Sequence, residues 1–163
     1  MHVVTFILLI GIGATAVMDV WSLVRKHAFD VPLPNYGLVG RWLGHMRQGK
    51  FCHVAITASA PVPHEKVIGW IAHYVIGITF AALLIAIAGE QWMAQPSVGP
   101  AIAVGLGTVA APFLLMQPGM GAGIAASKTP HPRSARAHSV ITHLIFGVGL
   151  YVSGWGVALC VFG

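Results

Sequence analysis

The sequence predicts an all-α fold: an integral membrane four-helix bundle with one short interfacial amphipathic helix between spans 1 and 2. Only 8% of the 163 residues are charged, whereas about 25% of residues are charged in a typical soluble domain. Four apolar stretches have the length of helices that cross a hydrocarbon layer of roughly 30 Å. They cover residues 3–24, 67–88, 97–116 and 140–161. Residues 1–163 are therefore expected to form a single transmembrane domain.

The distribution of positive charge predicts the orientation of these spans. Of the nine Lys and Arg residues, six lie in residues 25–66 and three in residues 117–139. Lys and Arg beside membrane spans stay on the cytoplasmic face. The two segments are therefore predicted to be inside loops, with both termini outside. The net charge of +5 is assigned to topology and to anionic lipid headgroups, and no nucleic-acid partner is expected.

The first inside loop has its own predicted elements. Asn35 is expected to cap a helix that begins near Tyr36, in which apolar residues recur at helical spacing. A short basic amphipathic helix of this kind usually lies in the membrane interface, with Trp42 at the headgroup level. Phe51–Ala60 is apolar but too short to cross, so it is expected to fold back or to dip into the inner leaflet. In the third span, Pro112 predicts a kink.

Three ionisable residues lie within the apolar stretches: Asp19, His73 and His143. Each is six or seven residues from a basic residue of an inside loop, so all three are predicted at one depth in the inner leaflet. Each shares an i, i+4 ridge with small residues, which line the contacts between membrane helices. We therefore expect the three side chains to converge inside the bundle, with Gln117 approaching from the third span.

Several roles remain open for this polar cluster. The side chains could hydrogen-bond the helices together or bind a proton, an ion or a small ligand. Two imidazoles and one carboxylate suit zinc or iron, and the thioethers of Met116 and Met120 would favour Cu(I). The metal hypothesis therefore uses His73, His143, Asp19, Met116 and Met120. Haem between two histidines is less favoured, because no further haem signature is present.

Other residue types do not add a motif. The loop histidines are interpreted as solvated or interfacial, because they form no metal-binding spacing; they are His27, His45, His53, His64, His131 and His138. The glycines of residues 119–123 lack a phosphate-binding pattern, and no serine occupies a nucleophile elbow. Enzymatic activity is therefore less favoured than binding or transport, although an intramembrane catalytic base stays open.

Five stretches resemble a family of small, uncharacterised bacterial inner-membrane proteins, known as a domain of unknown function. They are ATAVMDVWSL (14–23), NYGLVGRWLGHM (35–46), GKFCHVAI (49–56), GWIAHYVIGITFA (69–81) and VAAPFLLMQPGMGAGIAAS (109–127). The resemblance implies a four-span protein of the bacterial cytoplasmic membrane, with periplasmic termini on the charge argument above. It implies no activity and no site residue.

These observations predict a binding or transport component for a proton, an ion or a small ligand. Because four helices are few for a complete pathway, a transporter is expected to be a homo-oligomer, in contact through small-residue ridges. The alternatives are an accessory subunit of a larger membrane complex, in which the polar cluster joins helices, and a metal- or haem-binding membrane protein. In each case the lipid bilayer is the surrounding partner.

Overall fold

The computed structural model describes residues 2–162, and over these residues the chain is helical with no strand. Its α-helices are α1 (Val3–Phe29), α2 (Tyr36–Met46), α3 (Glu65–Ala88), α4 (Gln91–Ala94), α5 (Val98–Gly107), α6 (Gln117–Gly119) and α7 (Pro132–Phe162). Within residues 2–162, four stretches are long and apolar enough to cross a membrane: Val3–Phe29, Glu65–Ala88, Val98–Gly119 and Pro132–Val161. The all-α, four-span prediction is confirmed, and the protein is a multi-pass membrane protein.

The long helices extend beyond the apolar stretches predicted for them. Helix α1 continues through Arg25 and Lys26 to Phe29 and is capped by Asp30, whose φ of 52° places it in the left-handed region and whose backbone N–H donates to Arg25 O. Basic side chains near a helix C-terminus are stabilised by the helix dipole, so they prolong α1 instead of ending it. Helix α7 begins at Pro132, within the predicted loop 117–139, because proline is well suited to a first helical turn.

The third span is not a uniform α-helix. Between α5 and α6, Pro112–Met116 is π-helical, and the Gln117 N–H donates to the Pro112 carbonyl five residues earlier. Pro112 and Pro118 have no backbone N–H, so two donors are missing from the usual i to i−4 pattern of this stretch. The predicted kink at Pro112 thus takes the form of a wide turn, which is an uncommon feature that often occurs at functional sites.

One compact unit of the chain comprises residues 2–33, 74–108 and 141–162. Its fully buried apolar side chains are Phe6, Ile10, Ala14, Ala81, Leu84, Ala101 and Leu150. The helices approach closely where they carry glycine. A Cβ built on Gly105 of α5 would lie 2.5 Å from the Cα of Gly147 of α7, so the two backbones are in direct contact.

A second compact unit comprises residues 34–73 and 109–140. Here α2 packs on the first turns of α3 through backbone contacts, since a Cβ on Gly40 would overlap the carbonyl oxygen of Glu65 and one on Gly69 would overlap that of Tyr36. The segment after α2 returns to the end of the third span. Its backbone N–H groups of His53 and Ile56 donate to Gly119 O at 2.9 Å and Met120 O at 3.0 Å.

Candidate functional site

Asp19 lies half-buried on α1, and a tyrosine hydroxyl of α3 contacts its carboxylate. Tyr74 Oη donates a hydrogen bond of 3.0 Å to Asp19 Oδ2. The preceding ridge residues Gly11 and Thr15 are buried, and a Cβ on Gly77 of α3 would overlap the Thr15 hydroxyl. Asp19 therefore follows a close α1–α3 contact, and its carboxylate joins these two helices.

His143 lies on α7, and its ring is oriented by Thr108, the residue that follows α5. Thr108 Oγ1 is 2.9 Å from His143 Nδ1. The single hydroxyl proton of Thr108 is already donated to Gly105 O at 2.7 Å, so the hydroxyl can only accept from the imidazole. His143 therefore carries a proton on Nδ1. In its neutral form the lone pair is on Nε2, which is the atom that would accept a proton or a metal ion.

Gln117 begins α6 directly after the π-helical turn. Its Nε2 donates to Ser139 Oγ at 3.4 Å, and Ser139 Oγ itself donates to Ala135 O at 3.0 Å. Because the serine proton is used for that carbonyl, the amide must present its NH₂ group to the serine. The Gln117 Oε1 atom is then a buried acceptor without a partner among the described residues.

His73 lies on α3 in an aromatic cluster with α2. Its ring stacks on Tyr36, with centroids 4.1 Å apart and an interplanar angle of 21°. The Trp70 ring lies edge-on to His73 at 5.9 Å and to Tyr36 at 4.8 Å. The imidazole thus packs by a face against neutral aromatic rings, where it helps to join α2 to α3.

The structure places these four residues in two sets. Asp19 and His143 belong to the first compact unit, and His73 and Gln117 to the second. Over residues 2–162 there is no group of three or more His, Cys, Asp or Glu side chains that could hold a metal ion. Met116 and Met120 are both half-buried near Gln117. The convergence of the polar cluster and the metal assignment to His73, His143, Asp19, Met116 and Met120 stay predictions.

Of the two interpretations of His45 and His53, as solvated or as interfacial residues, the first is wrong, because both side chains are buried. Their exposed fractions are 7% and 8%. His45 Nδ1 lies 2.8 Å from His53 Nε2, with the rings stacked at a centroid distance of 5.0 Å. The sequence signal for this burial is the glycine face of α2, formed by Gly37, Gly40 and Gly44, next to which His45 lies. We call His45 and His53 the imidazole pair.

The carbonyl oxygen of Gly119 determines which ring nitrogens of the imidazole pair carry protons. His53 Nδ1 lies 3.2 Å from Gly119 O, and a carbonyl oxygen only accepts. His53 Nδ1 therefore carries a proton, and in the neutral ring Nε2 accepts. His45 must then donate through Nδ1, which leaves the lone pair of a neutral His45 on Nε2. The hydrogen bonds of the pair therefore run in one direction: His45 donates to His53, and His53 donates to Gly119 O at the end of the third span.

Two further contacts hold the segment that carries His53. Trp42 Nε1 of α2 donates to Phe51 O at 2.8 Å, and a Cβ on Gly119 would lie 2.7 Å from the Trp42 ring. The indole thus packs on the same residue whose carbonyl accepts from His53. Trp42 was predicted at the headgroup level; its hydrogen bond gives it a structural role in the second unit as well.

An ion pair fixes the other end of this segment. Arg41 Nε and Nη2 donate to the two Glu65 carboxylate oxygens, both at 2.8 Å, and Arg41 Nη1 donates to Ser59 O at 3.0 Å. Glu65 Oε2 also accepts from Val62 N at 3.1 Å. The hydrogen bonds that Arg41 donates to the Glu65 carboxylate raise the pKa of Arg41, so this guanidinium is a permanent cation. A bidentate geometry of this kind is specific to arginine.

Comparison with known proteins adds one match. A family model described as "Protein of unknown function (DUF2938)" matches residues 8–157. This confirms the resemblance to an uncharacterised family. No curated protein matches the chain, and no solved structure matches it.

Proposed function

The chain belongs to the DUF2938 family of proteins of unknown function, and we propose that it binds and transfers a proton or small cation at Asp19. We place it in the bacterial cytoplasmic membrane with both termini outside. The distribution of Lys and Arg between two of the loops supports this orientation.

The observation that carries the proposal is the hydrogen bond between Tyr74 and Asp19 within two membrane-spanning helices. Ionisable groups inside a span are costly and mark ion or proton pathways by default. A phenol is both donor and acceptor. Tyr74 can therefore donate to the ionised carboxylate and accept from the protonated acid, so the contact is compatible with both states of Asp19. A site that gains and loses a proton needs a partner of this kind.

A hydrophobic carbodiimide tests whether Asp19 takes up a proton. The reagent reacts with a protonated carboxyl group in an apolar environment, and the chain has only four Asp and Glu residues. We expect one adduct on intact protein by mass spectrometry, located on Asp19, with a yield that falls as pH rises. Asp19→Asn should abolish it and the matched control Asp30→Asn should not, since Asp30 is an exposed residue after α1. An adduct that persists in Asp19→Asn overturns the proposal.

Flux through liposomes tests transfer. With an imposed pH gradient, the protein with native Asp19 and the Asp30→Asn variant are expected to dissipate the gradient faster than empty liposomes, and Asp19→Asn is not. Asparagine still accepts from Tyr74, so the melting temperature of Asp19→Asn in detergent should be retained. If all three proteins dissipate the gradient at the same rate, Asp19 has no role in transfer.

A second candidate function is that of a structural or accessory subunit. The contacts of Tyr74 with Asp19 and of Thr108 with His143 each join two helices, which is also what interhelical connection requires. This function predicts no carbodiimide adduct and no flux for any of the proteins, while the melting temperature of Asp19→Asn is retained because asparagine still accepts from Tyr74. Assembly as a homo-oligomer is compatible with either function, and its test is the mass of the detergent-solubilised particle.

A further inference from the structure

We propose that the imidazole pair, His45 and His53, is a second proton-binding site, separate from Asp19, which takes up one proton and not two. The site lies wholly within the second compact unit. It is built by α2, by the segment after α2 and by the end of the third span. It does not rest on the proposed function of Asp19.

The acceptor atom of the site is His45 Nε2. In the neutral pair, Gly119 O fixes the proton on His53 Nδ1, and His53 Nε2 fixes the proton on His45 Nδ1. Of the four ring nitrogens, three are thus committed to hydrogen bonds within the chain. Uptake forms one N–H bond at His45 Nε2 and breaks none, so the only co-reactant is the proton itself.

The added charge can be carried by either ring. If it stays on His45, the cation donates through Nδ1 to the neutral His53. If the Nδ1 proton of His45 moves across the 2.8 Å contact to His53 Nε2, His53 becomes the cation and donates to Gly119 O and to His45. Both forms replace a neutral hydrogen bond by a charge-assisted one, which is roughly twice as strong. In the second form the cation also lies at the C-terminal end of the third span, where the helix dipole favours positive charge.

A second proton is excluded by the same contact. With both rings cationic, His45 Nδ1–H and His53 Nε2–H would point at each other, and neither atom could accept. Two like charges would also lie in direct contact in a site that is more than nine-tenths buried, which strongly disfavours double ionisation. The pair therefore takes up its protons as one coupled system.

The charged residues around the pair do not take up the proton in its place. Arg41, one helical turn before His45, is bound to Glu65, so its charge is compensated. Residues 109–127, which supply Gly119, contain no titratable side chain. The other titratable residues of residues 34–73, which supply the adjoining elements, are Tyr36, Arg47, Lys50, Cys52, His64, Lys66 and His73. Three of these are permanent cations near neutral pH, and they do not change the number of protons that the pair can take up.

Histidine ¹⁵N NMR spectra of the full-length protein in detergent provide the test. In the neutral state we expect the Nδ1–H tautomer for both His45 and His53. On acidification we expect the two rings together to gain one proton. Two independent protonations, or an Nε2–H tautomer on either neutral ring, would overturn the proposal. Because spectra of the unmodified protein decide the tautomers, the result does not depend on a variant that folds.

Variants assign the signals and separate this site from Asp19. His45→Gln should remove one signal and leave His53 able to take up a proton alone, which changes its titration curve. The matched control His131→Gln alters an exposed histidine of the second unit and should leave both signals of the pair unchanged. Asp19→Asn should also leave them unchanged. The carbodiimide test of Asp19 and the one-proton test of the imidazole pair can therefore fail independently of each other.

Discussion

The closest approach of α5 and α7 gives a quantitative prediction for Gly105→Ala. The added Cβ would lie 2.5 Å from Gly147 Cα, 2.7 Å from Gly147 N and 2.8 Å from His143 O. Non-bonded carbon atoms prefer about 3.5–4.0 Å, so the two helices must separate locally by roughly 1 Å. All three neighbours are backbone atoms and cannot rotate away. Overpacking of this kind costs about 1–3 kcal/mol.

The matched control is Gly107→Ala, two residues along the same helix. A Cβ at Gly107 has no neighbour within 4 Å. Both substitutions replace glycine by alanine in a helix and both gain roughly 0.8–1.0 kcal/mol of helix propensity. The difference between their free energies of unfolding therefore isolates the overlap, and we expect Gly105→Ala to be less stable than Gly107→Ala by about 1–3 kcal/mol.

Reversible unfolding in mixed micelles, by titration with a denaturing detergent, measures this difference. Oligomeric state is checked for both variants by size, since Gly107 is exposed and its substitution could alter a contact between copies. If Gly105→Ala unfolds at the same denaturant concentration as Gly107→Ala, the α5–α7 backbone contact is refuted. The orientation of His143, which lies four residues before Gly147, would then need another explanation.

Two further predictions use contacts of the same helices and a native cysteine. Thr108→Val removes the hydroxyl that accepts from His143 and donates to Gly105 O, and should lower the free energy of unfolding by roughly 1–3 kcal/mol because buried groups are left unpaired. The control Thr79→Val, on an exposed face of α3, should change the free energy of unfolding by less than about 0.5 kcal/mol. Equal costs for the two variants would contradict the His143 contact. Cys52 is exposed and free and lies between the first two spans, so in intact spheroplasts a membrane-impermeant maleimide should leave it unlabelled and should label it once the membrane is permeabilised. Cys52→Ser is the reference, and labelling of Cys52 in intact spheroplasts would contradict the proposed topology.

The four spans could be predicted because hydropathy and length are local properties of the sequence. The ends of the helices could not, because polar residues such as Lys26 and Pro132 are compatible with a helix as well as with a loop. The small-residue ridges were also informative. Gly11 lies against Ile78, and Gly147 lies against Gly105, as expected of residues that let membrane helices approach closely.

The imidazole pair was missed because its contacts are not local. His53 and the Gly119 carbonyl that orients it are 66 residues apart, and no spacing rule connects them. On α2 the apolar residues that recur at helical spacing include Leu38, Trp42 and Leu43, and all three are only half-buried. The buried positions are Gly37, Gly40, Gly44 and His45. In a membrane protein, the packed face of a helix is better marked by small residues than by large apolar ones.

The π-helical turn at Pro112–Met116 contains one more residue than an α-helical turn would. Gln117 reaches back five positions to the Pro112 carbonyl, where an α-helix would reach back four. Conversion of this turn to α-helical spacing would rotate everything beyond it by about 100° and advance it by about 1.5 Å. Such a screw motion would withdraw the Gln117 amide from Ser139 and the residue 119 oxygen from His53 together. One backbone rearrangement would therefore break both of these hydrogen bonds at once.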